Sequence, residues 1–417
     1  MCSTTTFTRR QALAGAAALP LALSWADPLR ASDFSALQGE LDAAISSGRM
    51  PGLVALIARG PDVWVHVAGL RDLDSAAPMT RDTVFAVASI AKPLTAVAAL
   101  MLVQDGVLGL DDPVDPWLPE LAGRQVLRQA DGALDDTMPA TRAITLRDLL
   151  SMRMGLGIDF ADPAEVPIVG QMQALGVAPG PRLFAEDADT YMARLGSLPL
   201  IHQPGEAWRY HTGLDVAGVL VERASGMSQG EFLRRRVCAP LGMHDTAFFG
   251  PVERLATQYW PNPETGRMEP WNSAAGDSFA DVPAFEAGGG GHVSTVDDFL
   301  AFGRFLMAGG LVDGRQLLSR DLVDEMLTDQ ISPAQKAASP WFPADFWDTH
   351  GWGLGVALRT APQDAEGRFG WWGGYGTSFW CDPATDSVAI LFTQRMMTGA
   401  DDTALAETFN AAAFDAR

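Results

Sequence analysis

The residues best able to do chemistry stand close together. Ser89 and Lys92 lie in the stretch FAVASIAKPLTAVAALM, from Phe85 to Met101. Of 30 basic residues in the chain, only Lys92 and Lys336 are lysines. Arginine keeps its proton in a protein, whereas lysine gives its proton up in apolar surroundings, so a lysine inside an apolar run is a candidate base. The ordinary fate of such a lysine is duller: its ammonium snorkels past the helix to water. Ser89 changes the weighing, because positions i and i+3 share a helical face and bring hydroxyl and amine together. A deprotonated Lys92 there could take the serine proton and leave Ser89 a nucleophile.

Such a pair has to be positioned. TVFAVAS starts β-branched and alternating, Pro93 suits the first turn of a helix because it has no N–H to leave unpaired, and LTAVAALMLVQDG runs helically to Gly106. Ser89 is therefore predicted at or beside a helix N-terminus, where unpaired N–H groups and the positive end of the dipole favour an oxyanion. A proton shuttle and further oxyanion donors are needed as well. HQPGEAWRYHTG places Tyr210 just before a helical run, and GWWGGYGTSFW places Gly373, Gly374 and Gly376 along a strand, where glycine lets a backbone approach a ligand.

The flanking pattern predicts an α+β fold. LVALIAR, a Gly60-Pro61 turn and DVWVHVAGL read as antiparallel strands, as do WGLGVAL, GRFGWW, TSFWC and SVAILFTQ near the other end, with DPATD as a hairpin turn. Helical signals lie between: TLRDLLSM capped by Thr145 with Asp148, GLDVAGVLVERASG stopped by Gly226, SQGEFLRRRV capped by Ser228 with Glu231, and STVDDFLAFGRFLM capped at Ser294 or Thr295. One sheet built from about 50–88 and 350–395, flanked by helices and with a mainly helical region over about 89–340 inserted, accounts for this order. Residues 162–181 and 333–343 read as long loops.

With 417 residues and 47% hydrophobic content the chain can bury a large core. A formal charge of −21 argues against nucleic acid or an anionic membrane as partner. Three cysteines, Cys2, Cys238 and Cys381, with no Cys-x-x-Cys exclude a disulfide framework or zinc ribbon, and six histidines without His-Glu-x-x-His point to no metal and no cofactor. Arg9 and Arg10 precede an alanine and leucine run, which predicts a twin-arginine export signal over 1–26 and a hydrolase domain over 27–417. The expected location is periplasmic or secreted, and cytoplasmic if the signal does not function.

Five blocks in order, FAVASIAKPLTAVAALMLVQDGVLGLDDPVDPWLPEL, TLRDLLSM, PGEAWRYHTG, GGGGHVSTVDDFLAFGRFL and WGGYGTSFWCDP, resemble the serine β-lactamase-like hydrolases, which include class C β-lactamases, family VIII carboxylesterases and D-aminopeptidases. The resemblance covers nearly all of the chain after the leader. It implies the β-lactamase/transpeptidase-like fold, Ser89 as nucleophile, Lys92 as activating amine, Tyr210 as proton shuttle, and the N–H groups of Ser89 and Tyr375 as oxyanion hole. Whether Lys92 or Tyr210 is the base stays open. Thr212 replaces the asparagine that commonly ends the tyrosine motif. Trp372 stands where the third motif commonly begins with lysine or histidine, followed by Gly373 and Gly374, and these four are the expected substrate-binding positions.

A tryptophan cannot grip a carboxylate, and Trp371, Trp372, Tyr375, Phe379 and Trp380, with Trp341, Phe342, Phe346 and Trp347, predict an aromatic site. The leading reading is a carboxylesterase for neutral, apolar small-molecule esters. A β-lactamase or D-alanyl/D-amino peptidase using the same serine is the alternative, and a catalytically silent binding relative the second. Gly288 to Gly291 are not a phosphate loop, since no Gly-Lys-Ser/Thr follows; His202 and His211 flank the tyrosine and read first as solvated loop residues, with a polar contact near the site as the alternative. The absence of Gly-x-Ser-x-Gly rules out an α/β-hydrolase. The oligomeric state is not encoded in any of these signals.

Overall fold

Strands from both chain ends assemble into one antiparallel sheet. The computed structural model describes residues 29, 31–180, 183–271, 279–339, 345–361 and 367–415. The expected leader over 1–26 and the aromatic pair Trp341 and Phe342 lie outside the described residues. Numbering only the strands of the main sheet, the first part of the chain gives β1 (Gly52–Arg59), β2 (Asp62–Asp72) and β3 (Ala77–Pro78). The last part gives β4 (His350–Trp352), β5 (Ala357–Arg359), β6 (Phe369–Gly373), β7 (Thr377–Asp382) and β8 (Ser387–Thr393). The spatial order is β4-β5-β6-β7-β8-β1-β2-β3.

The two ends of the chain meet where β8 pairs with β1, Leu53 opposite Thr393 and Arg59 opposite Ser387. Both strands are covered on both faces, which is why they read as unbroken apolar runs and not as alternating ones. The principal helices are α1 (Ser35–Ser46), α2 (Lys92–Gln104), α3 (Thr212–Ser225), α4 (Val296–Met307) and α5 (Ala404–Asp415).

Register sorts the side chains of the sheet onto two faces. On one, Phe379 and Phe392 meet Phe299 of α4 at ring separations of 5.2 and 5.5 Å. On the other, Trp64 packs on Phe34 at 5.1 Å, His66 bonds Asp42 of α1 at 2.9 Å, and Asn410 of α5 reaches Ser378. Helix α2 is buried from Lys92 to Leu102, apolar all round as expected of a central helix, and packs against α3. The cap assignments hold: Thr145 and Asp148 form a reciprocal capping box, Thr295 caps α4, Ser228 accepts from the Glu231 N–H, and Gly226 ends α3 at φ +69°.

Three local readings change. WGLGVAL is not one strand but the end of β4 and the start of β5, broken at Gly355 with φ +76°. TVFAVAS contributes only Phe85–Ala86, paired with Val293–Ser294 outside the main sheet, so the N-terminal part of the sheet ends at β3. The two stretches read as loops contain helices Pro167–Ala174 and Pro333–Ala337, each with proline in its first turn, where the missing N–H costs nothing.

Candidate active site

Ser89 sits in a short 3-10 turn, Ala88–Ala91, that leads directly into α2. Ala88 holds φ +51°, a strained value for a residue with a Cβ, immediately before the serine. Lys92 opens α2 and is fully buried. Its Nζ lies 2.7 Å from Ser89 Oγ and donates to the Gly289 carbonyl at 2.5 Å. It also stands 4.5 Å from the centre of the Tyr210 ring. Burial pulls the Lys92 pKa down from 10.5 to about 7, against the opposing pull of the Asp215 carboxylate. The serine hydroxyl thus faces an amine that is substantially unprotonated at neutral pH.

Tyr210 is buried, hydrogen-bonded to Ser89, and accepts a hydrogen bond from Trp371 Nε1 at 2.5 Å. Burial raises its pKa, so the phenol keeps its proton. Ser89, Tyr210, His211, Trp371, Gly374 and Tyr375 are among the residues bordering a cavity of about 1110 Å³.

Of the two readings open for His211, the solvated loop residue fails and the polar contact near the site holds. It holds φ +85° at the entrance of α3, its Nδ1 lies 3.3 Å from Lys92 Nζ, and its Nε2 lies 3.3 Å from Asp215 Oδ2. Asp215 is fully buried and its Oδ1 accepts from the Gly289 N–H at 2.7 Å. Gly289 therefore clamps both ends, its carbonyl on the lysine and its N–H on the carboxylate. A Cβ at Gly289 would come within 2.6 Å of Asp215 Oδ1 and 2.7 Å of His211 Nε2, which explains a glycine there. The tetraglycine run is a close backbone approach. Burial and the neighbouring lysine both lower the His211 pKa, so the ring is neutral. The i, i+4 spacing of His211 and Asp215 was visible in YHTGLD, and only the fold shows that the pair meets Lys92.

The resemblance puts a substrate-facing side chain at Trp372, which does border the cavity, but the side chain that reaches the tyrosine is one residue earlier. Trp372 pairs with Ser378, on the face that α5 covers, whereas Trp371 pairs with Phe379 and reaches Tyr210. A one-residue shift along a strand exchanges faces, so the side chain beside the tyrosine is Trp371 and not Trp372. Gly373 is buried, and a Cβ there would run into the Val87 carbonyl and the Thr377 hydroxyl, so it serves the contact between β6 and the nucleophile turn and does not face the cavity. Thr212 is also fully buried and does not border the cavity; its hydroxyl has no partner among the described residues. Gly374 is exposed at the cavity wall, while Tyr375 is 4% exposed and packs its ring on Phe279 at 5.9 Å.

An antiparallel sheet with a buried serine, lysine and tyrosine cluster at the end of its strand β6 is the architecture of a serine hydrolase of the β-lactamase fold. Residues 31–413 match the Beta-lactamase family model, and the chain belongs to that family. It is 36% identical over 369 residues to Protein Rv1367c of Mycobacterium tuberculosis, covering 86% of this chain and 89% of that one. It is 33% identical over 394 residues to Esterase EstB of Burkholderia gladioli, covering 88% and 93%. Among solved structures it resembles EstCE1, a hydrolase with promiscuous acyltransferase activity, with a TM-score of 0.74 and 27% identity over 92% of this chain and 98% of that one.

Proposed function

We propose that the protein is a carboxylesterase for neutral, apolar esters that works through an acyl-enzyme on Ser89. The observation that carries this reading is the contact between Ser89 Oγ and a buried lysine whose pKa is near 7, beside a cavity where the Trp371 indole donates to the tyrosine oxygen. The similarity to Esterase EstB supports it.

In this reading neutral Lys92 takes the Ser89 proton as Oγ attacks the ester carbonyl. Lysine is the better candidate for base because burial lowers its pKa while raising that of Tyr210. The oxyanion meets the N–H of Ser89 and, counted from Trp371 instead of Trp372, that of Gly374 in place of Tyr375. As the intermediate collapses, the carbonyl–alkoxy bond breaks, Tyr210 hands its proton to the departing oxygen, and Lys92 returns one to the phenol. Water, or an acceptor alcohol, then attacks the acyl-enzyme by the reverse route. The acceptor branch draws support from the acyltransferase activity named for EstCE1.

The test is a panel of p-nitrophenyl esters beside a chromogenic cephalosporin, with a fluorophosphonate label as reporter of the nucleophile. Ser89→Ala is expected to lose both ester turnover and labelling, and Lys92→Arg to fall about as far as Lys92→Ala, since a guanidinium cannot act as base. Persistent labelling of Ser89→Ala would move the nucleophile elsewhere. Cephalosporin turnover with esters untouched would favour the β-lactamase reading.

A further inference from the structure

The hydrogen bonds around Ser89 run in one direction. At one end stands the Trp371 indole, which can only donate, and it donates to the Tyr210 oxygen. At the other end stand two groups that can only accept. The Gly289 carbonyl takes an N–H of Lys92 at 2.5 Å, and the Asp215 carboxylate takes the Gly289 N–H on Oδ1. Asp215 Oδ2 is buried, lies 3.3 Å from His211 Nε2 and is bonded to nothing else among the described residues. An acceptor facing Nε2 holds the proton of the neutral ring there and leaves a lone pair on Nδ1, 3.3 Å from Lys92 Nζ.

That lone pair decides which way the amine faces. A neutral amine has two N–H groups and one lone pair. With one N–H on the Gly289 carbonyl and the second on His211 Nδ1, the lone pair is left for Ser89 Oγ, 2.7 Å away. Were an N–H turned to Ser89 instead, the lone pair of the amine would face that of Nδ1. Once Lys92 has taken the serine proton it is an ammonium with three N–H groups. Three acceptors then surround it: the Gly289 carbonyl, His211 Nδ1 and the former hydroxyl oxygen of Ser89.

The backbone is bent to deliver this contact. His211 holds φ +85° and ψ −66°, and the Thr212 N–H reaches the Tyr210 carbonyl at 3.3 Å, so His211 is the centre of a γ-turn of the rare, strained form. Neighbours on an extended chain point to opposite sides. The γ-turn brings Tyr210 and His211 to the same amine, with Nζ 4.5 Å from the centre of the phenol ring and 3.3 Å from the imidazole nitrogen. Strain of this kind persists only where the surroundings hold it, and it gathers at active sites.

We propose that His211 is a positioning residue, which accepts an N–H of Lys92 on Nδ1 and so aims the lone pair of the amine at Ser89 Oγ. The inference rests on the reading of Ser89 as nucleophile and Lys92 as base, and not on which ester is turned over.

The first test needs no substrate. Proton–nitrogen correlation spectra of the unmodified protein, isotope-labelled in its histidines and with His211→Asn to assign the signal, are expected to show His211 protonated at Nε2 and bare at Nδ1. A proton on Nδ1 at neutral pH would overturn the proposal.

The second test reads the rate of fluorophosphonate labelling beside turnover of p-nitrophenyl acetate. His211→Gly deletes the ring and leaves a residue that adopts a positive φ freely. Its labelling rate and its kcat are expected to fall about tenfold to hundredfold, the loss that a misaimed catalytic group brings, with KM little changed. Asparagine tolerates the same φ and offers an amide oxygen in place of Nδ1, so His211→Asn should run about threefold to tenfold faster than His211→Gly. His211 borders the cavity, so added imidazole has access to the space that His211→Gly leaves. It should restore labelling where thiophene, a ring of similar size with no nitrogen, does not. Full labelling of His211→Gly, or imidazole rescuing no better than thiophene, would make the ring a mere filler and overturn the proposal. If His211→Gly fails to fold, the tautomer seen in the unmodified protein decides. Ordinary labelling with no ester turned over would remove the carboxylesterase reading and leave the test of His211 intact.

Discussion

At Lys92 two influences meet. Burial drives the amine toward its neutral form, and the Asp215 carboxylate, held behind His211, draws it back toward the charged one. The base is active when unprotonated, so kcat/KM for a neutral ester should rise with pH through about 7. Asp215→Asn keeps an oxygen for the Gly289 N–H and removes the charge. Without that charge the protonated lysine loses stabilisation, its pKa drops further, and the acid limb moves to lower pH. A pH profile on p-nitrophenyl acetate reads this directly. A limb displaced upward, or one lying far above neutrality in the unmodified protein, would argue for Tyr210 as base, whose pKa burial raises. A structural defect alone would lower the whole profile without sliding it.

Among the elements, those with strong local signals were legible. Strands β1, β2, β7 and β8 follow from β-branched runs bounded by turn residues, and the helix starts follow from Thr145, Ser228 and Thr295, because capping chemistry is local. Ser89, Lys92 and Tyr210 were legible by motif. What could not be read is what long-range packing decides. The register that puts Trp371 beside Tyr210 is fixed by β6 pairing with β7, and the meeting of His211 with Lys92 joins residues 119 positions apart. Gly373 shows the same dependence in part, since one of the two groups a Cβ there would meet is the carbonyl of Val87, far away in the chain. Gly373→Ala should therefore push β6 off the turn that holds Ser89. Overpacking of this kind costs about 1–3 kcal/mol, measurable by urea denaturation. Ester turnover should fall further than that loss of stability explains, because the displaced strand also carries Trp371 and leads directly into Gly374. An alanine variant of full stability and activity would show that strand and turn are not tightly joined.

At the scale of the whole molecule, 51 acidic against 30 basic residues give the chain a net negative charge and with it a negative long-range field. We propose in addition that the chain is exported by the twin-arginine route, on the strength of Arg9 and Arg10 before the apolar run. Replacing both with lysine should retain the precursor in the cytoplasm on fractionation, and unchanged export would point to another route.

The field itself bears on substrate choice. Penicillins and cephalosporins carry a carboxylate, which under the proposed reading is repelled at long range and, with Trp371 beside Tyr210, finds no grip at short range. A neutral ester feels neither effect. The screening length contracts from about 30 Å at 0.01 M ionic strength to about 8 Å at 0.15 M, so added salt removes the long-range part and leaves the short-range part. Cephalosporin kcat/KM should accordingly be low and rise with salt, while that for p-nitrophenyl acetate stays level. At physiological salt the cephalosporin should still lag, because a missing charge-assisted contact of about 1.5–3 kcal/mol is not restored by screening. Cephalosporin turnover that falls as salt is added would mean that a cation near the nucleophile grips the carboxylate after all, and the preference for neutral esters would lose its physical basis.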